Sequence, residues 1–213
     1  MSPNLWRFNK KKAQPFRVPF EEIREHTPFA EHILSYCQKL NGRDLVILCV
    51  GTDRSTGDSL GPLVGSKLEG LSLGRFTVYG TLEFPVHAMN LTERLNEVQS
   101  NHSNPYIIAI DACLGQQVNV GSVTLQDGPL HPGAAVHKDL PKVGDIHITG
   151  TVNIGGAMEF YVLQNTRLHI VMSMAESIAQ SIYLADQKLS EHSIVSSAIQ
   201  AIVHYSPTDI NKV

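Results

Sequence analysis

Short uncharged apolar runs alternate along this chain with stretches in which apolar residues return every three or four positions. Leu45–Val50, Phe76–Thr81 and Tyr106–Ile110 are runs of the first kind, and such runs read as strands of a parallel sheet buried on both faces. Ser122–Leu125, Ile146–Val152 and Arg167–Met172 read as further strands, each bounded by turn residues. The helical period begins after Thr27-Pro28, a helix start, and carries Ile33, Leu34, Cys37 and Leu40 until Asn41-Gly42 stops it. It returns as Leu60, Leu63, Val64 and Leu68, and in Pro85–Val98 through Met89, Leu91, Leu95 and Val98. Asn153–Leu163, Ala175–Leu184 and Ile194–Val203 complete the predicted helices. Strands alternating with helices call for an α/β fold with a mostly parallel sheet covered on both faces.

Residues 1–25 are polar, basic and broken by Pro3, Pro15 and Pro19, and read as an N-terminal arm. Residues 26–205 form a single α/β domain in this reading, and 206–213 a polar C-terminal tail. The 213 residues suffice for one domain with a sizeable core, at 42% apolar. With 17 basic against 20 acidic residues, the net charge of −3 offers no basic field for nucleic acid. No stretch approaches the ~20 apolar residues of a membrane span, and nothing near the start resembles a signal peptide, so a cytoplasmic protein without a membrane partner is expected. Cys37, Cys49 and Cys113 are an odd number without CxxC spacing, which argues against a disulfide framework and a structural zinc site.

The candidate chemistry gathers around Leu45–Val64, where a strand meets a loop with Gly51, Asp53, Arg54, Gly57 and Asp58 and then a helix. Loops at the carboxyl ends of parallel strands are where open α/β sheets place their sites. The strand Tyr106–Ile110 also runs into a carboxylate, Asp111, so Asp58 and Asp111 can meet in one crevice. Two carboxylates sharing a site either separate their pKa values into an acid and a base, or bind a divalent ion between them. The plain alternative makes Asp58 a helix cap and Asp111 a turn residue. The glycine loop lacks the GK[ST] of a P-loop and the GxGxxG of a dinucleotide site, and Asp58 would repel a phosphate. Arg54 reads as an ion-pair partner of its neighbouring aspartates. Cys113 reads as a nucleophile or as a small apolar filler. A polar loop rich in Gly and Pro, 127–145, holds His131 and His137, with His147 beside it; each reads as a solvated loop histidine, or one of them joins two carboxylates as a third ligand.

CVGTDRSTGDSLGP resembles a segment of the spore germination protease, with Gly51, Thr56, Asp58, Leu60, Gly61 and Pro62 in matching places. IIAIDACLG resembles a second segment, matching Asp111 and Ala112, and HPGAAV with VGDIHITGTVN resembles two more. From about residue 25 to 205 the chain is most similar to the YyaC-type sporulation proteins. A more distant similarity is to the nickel-iron hydrogenase maturation endopeptidases. Thr52 stands where both protease families commonly have Asn, and Asp53 is a carboxylate they do not share. The resemblance implies a three-layer α/β/α sandwich of the phosphorylase/hydrolase-like type, with Asp58 and Asp111 in the places of the relatives' carboxylates. It also implies the cytoplasm of a developing or germinating spore.

Two functions follow as expectations. One is an endopeptidase-like hydrolase in which Asp58 and Asp111 activate water on a protein or peptide substrate, with small acid-soluble spore proteins implied by the resemblance. Thr52, Asp53, Arg54, Thr56, Cys113, His131 and His137 then bind that substrate. The other is a noncatalytic peptide-binding or regulatory protein that keeps the protease fold. No cofactor is fixed by the chain, and a divalent metal ion at Asp58 and Asp111 stays open.

Overall fold

All five residues of Leu45–Cys49 are buried, and they form the inner strand β2 of a six-stranded sheet. The computed structural model of the protein describes residues 14–23, 27–38, 40, 42–132 and 140–204. The other strands are β1 (Phe16–Pro19), β3 (Phe76–Tyr79), β4 (Tyr106–Gly115), β5 (Ser122–Asp127) and β6 (Ile146–Ile154), and the sheet order is β1-β5-β6-β4-β2-β3. The pairings of β2 with β3, β2 with β4 and β4 with β6 are parallel. Those of β5 with β6 and with β1 are antiparallel. The last residues of the predicted arm thus add an edge strand.

Side-chain alternation along the strands makes two cores of unequal size. Leu45, Ile47, Cys49, Tyr106, Ile108 and Ile110 face a large core shared with α1 (Phe20–Ile23), α2 (Thr27–Cys37), α3 (Leu60–Glu69) and α6 (Leu168–His204). Leu48, Val50 and Ala109 face a smaller core closed by Leu91 of α4 (Leu91–Asn101) together with Val86, Leu130 and Val143. Helices on both faces make a three-layer α/β/α sandwich. Gly61 brings α3 hard against the sheet, because a Cβ there would lie 2.1 Å from the Val50 carbonyl oxygen. At the far end, the fully buried Asp186 of α6 accepts the N–H groups of Gly74, Arg75 and Phe76 at 2.8, 2.8 and 3.1 Å, tying α6 to the start of β3.

Arg167–Met172, predicted as a strand, is instead the beginning of α6, and the two predicted terminal helices are this one helix of 37 residues. A short apolar run has no readable period by itself, but Val171, Met174, Ala175, Ile178, Ala179, Ile182, Ala185 and Leu189 are buried at helical spacing. The helix predicted from Asn153 begins only at Glu159 as α5 (Glu159–Gln164). Asn153 and Ile154 belong to β6, and Gly156 (φ +145°) and Met158 (φ +57°) hold non-helical backbone before it. Similarly, Pro85–Asn90 forms turns ahead of α4. The Asn90 side chain holds them, accepting the His87 N–H at 2.8 Å and donating to the Pro85 carbonyl at 3.0 Å.

Candidate active site

β2 hands over to the loop through Gly51, whose N–H donates to the Val86 carbonyl at 2.8 Å. Gly51 has φ +144°, and a Cβ on it would lie 2.1 Å from the Asp58 carbonyl oxygen, so the loop folds back on itself here. The Thr52 N–H closes that fold by donating to the same Asp58 carbonyl at 3.0 Å. Asp58 therefore enters a single 3₁₀ turn, Gly57–Ser59, directly ahead of α3. Its carboxylate hydrogen-bonds to no described residue, so it is not the helix cap of the plain reading.

Asp111 lies inside β4 and not in a turn after it. Alternation puts it on the face of Ala109, toward the smaller core, in register with Thr149 of β6. It is 9% exposed, and its Oδ1 accepts the Ala112 N–H at 2.8 Å. Asp58 and Asp111 line one cleft of about 720 Å³, a size suited to a ligand. Burial raises the Asp58 carboxyl above the ordinary carboxylate range, while His87 acts in the opposite direction. Asp111 is raised well above that range, first by burial and then by the negative charge of Asp58, with the Ala112 N–H opposing.

Of the residues expected to bind substrate, Thr52, Arg54, Cys113 and His131 line the same cleft. Asp53 and Thr56 do not: Asp53 is exposed and accepts the Thr52 hydroxyl at 3.4 Å, and the Thr56 carbonyl accepts the Ser59 hydroxyl at 2.7 Å. His137 lies outside the described residues. Arg54 makes no ion pair with a described residue, against the pairing expected for it. Cys113 sits two residues beyond Asp111 on the same face, with Sγ 3.5 Å from Thr151 Oγ1. Burial raises its thiol pKa, which disfavours the thiolate a nucleophile needs.

Among the lining residues that the sequence did not single out are His87, Glu159 and Phe160. His87 follows β3 as Asp58 follows β2, and that shared place at the carboxyl edge is a signal that could have found it. Glu159 and Phe160 come from α5, whose start was misplaced in the sequence reading. Met89 and Phe160, 81% and 57% exposed, make the rim apolar.

The model of the family described as "Protein of unknown function (DUF1256)" matches residues 19–181, which include the whole pairing of Asp58 with Asp111. The chain belongs to the DUF1256 family. It is also 56% identical over 153 residues to "Uncharacterized protein YyaC" of Bacillus subtilis (strain 168), covering 72% of this chain and 75% of that protein. Among solved structures, a nickel-iron hydrogenase maturation protease, HycI from Thermococcus kodakarensis KOD1, matches with a TM-score of 0.44 and 16% identity, over 70% of this chain and 98% of its own.

In this DUF1256 member a metal ion at the two aspartates would need further ligands. Among the described residues no group of three or more His, Cys, Asp and Glu side chains is placed to hold one. His147, for instance, is turned to another use, its Nδ1 donating to the Gly128 carbonyl at 2.8 Å. Also among the described residues, no helix is long and apolar enough to cross a membrane.

Proposed function

We propose that the cleft hydrolyses peptide bonds, with Asp58 and Asp111 as its acid–base pair. The observation that carries this reading is the effect of the Asp58 charge on Asp111 within one cleft. Two carboxyls so placed do not both ionise easily, and the more buried one keeps its proton. Asp111 is the more buried, so it holds the proton, and Asp58 is the base that takes a proton from the attacking water. The proton on Asp111 is then available to the leaving amine. The apolar rim at Met89 and Phe160 supports an extended peptide as the occupant. The family resemblance supports a sporulation setting, in the cytoplasm of a developing or germinating spore.

The test is cleavage of small acid-soluble spore proteins and of a proteome-derived peptide library, with and without added zinc, nickel or magnesium. Asp58→Asn and Asp111→Asn should each abolish cleavage while keeping the native circular dichroism spectrum. Cleavage that survives in both variants removes the dyad. A wild type that cleaves nothing but retains peptides, with the Asn variants nearly as retentive, makes this a peptide-binding protein instead.

A further inference from the structure

The turn Pro85–Asn90 is fastened to the end of β2. Val86 forms an isolated parallel bridge with Val50, and the His87 carbonyl accepts the N–H groups of Asn90 and Leu91 at 3.0 and 2.9 Å. With the His87 N–H held by the Asn90 side chain, the backbone of His87 is fully committed. Its ring is committed on one side only. The Met89 N–H donates to Nδ1 at 3.3 Å, and a nitrogen that accepts carries no proton. The neutral ring therefore carries its proton on Nε2. That Nε2 makes no hydrogen bond with a described residue, although His87 lines the cleft that holds both aspartates.

We propose that His87 is the electrophile of this cleft, offering its Nε2–H to the carbonyl oxygen of the scissile peptide. This rests on the hydrolase reading and adds to the dyad a neutral donor held in place before the substrate arrives. Water adds to the carbonyl carbon as Asp58 takes its proton, and the carbonyl π electrons become an oxyanion bonded to Nε2–H. The C–N bond then breaks, and the Asp111 proton goes to the leaving nitrogen. His87 keeps its proton throughout. A proton passing from Asp58 to Asp111 restores the pair. The ring also acts on Asp58, where its influence opposes that of burial. Arg54, the arginine of the lining, is exposed, so His87 is the better-held donor.

Proton–nitrogen NMR of the full-length protein should show the His87 ring proton on Nε2, and a proton on Nδ1 would overturn the assignment. On the peptide cleaved fastest in the library, His87→Ala should lower kcat by about 100-fold or more, with KM changed by less than about threefold. His87→Gln keeps a side-chain N–H donor, and should recover kcat to within about tenfold of the wild type. An unchanged kcat in His87→Ala, or a Gln variant no better than Ala at the same urea midpoint, overturns the role of His87. If Asp58→Asn still abolishes cleavage in that case, the hydrolase reading survives it. A wild type that cleaves nothing overturns both.

Discussion

The negative charge of Asp58 raises the pKa of Asp111 beyond what burial alone does. A pair coupled in this way titrates in two macroscopic steps, and the proposed hydrolysis needs the state between them, with one proton on the pair. Both carboxyls are raised, so that state extends above the ordinary carboxylate range of about 3.9–4.3. The profile of kcat/KM against pH should be a bell whose alkaline limb reports loss of the Asp111 proton. A profile that rises once through the carboxylate range and then stays flat would show that no protonated carboxyl is required.

The same shifts have a sign for stability. A carboxyl whose folded pKa is raised stabilises the fold below its unfolded pKa of about 3.9, and that contribution is lost as pH rises through the folded value. Asp111→Asn has no such loss. Urea unfolding should show the variant gaining on the wild type as pH rises, reaching about 0.5–2 kcal/mol near neutral pH, with little difference in acid. A variant less stable than the wild type at neutral pH would mean that the Asp111 carboxylate is held by favourable partners.

Asp186, fully buried in α6, is well supplied with hydrogen-bond donors. Asp186→Ala leaves the N–H groups of Gly74, Arg75 and Phe76 without their acceptor in the interior. The expected cost is at least about 3 kcal/mol by urea unfolding. Asp186→Asn should fall between, since one amide oxygen remains. A loss under about 1 kcal/mol in the Ala variant would mean that other acceptors replace the carboxylate.

Two glycines of α3 and its end separate packing from backbone freedom. Gly61→Ala puts a methyl 2.1 Å from the Val50 carbonyl oxygen and should cost several kcal/mol, on the order of 3, because strand and helix must part. Gly70, with φ −74° and no heavy atom within 3.4 Å of a Cβ, should tolerate Ala and gain about 0.4–1 kcal/mol. A thermal midpoint of Gly61→Ala that does not fall would contradict the close approach at Gly61, and one of Gly70→Ala that falls would contradict the room at Gly70.

Much of this architecture was legible because burial on two faces leaves its mark on strands. Leu45–Cys49 and Tyr106–Ile110 stood out since both sets of alternating side chains enter a core. The antiparallel turn of β5 between β1 and β6 left no such mark, because strand direction is set by connections and not by composition. Arg167–Met172 was misread where six residues carry too little period to tell a strand from the first turns of a long helix. For the site, Asp58, Asp111, Thr52, Arg54 and Cys113, named for their places near strand ends, and His131, named for the long loop, line one cleft. His87 was passed over because Pro85–Asn90 looked helical, and the Asn90 side-chain bonds that make it a turn cannot be seen as spacing.

The joint at Gly51 and Gly61 has a consequence for how this protein can change. Backbone touches backbone there, so the joint that sets the turn of Asp58 has no side chain to trade for a larger or smaller one. Met89, His131 and Phe160 also line the cleft and take no part in that joint. Chains descended from this one, or redesigned from it, are therefore free to choose new occupants by exchanging those three while the chemistry beneath stays where it is. In the proposed hydrolase, selectivity and reactivity are separately heritable.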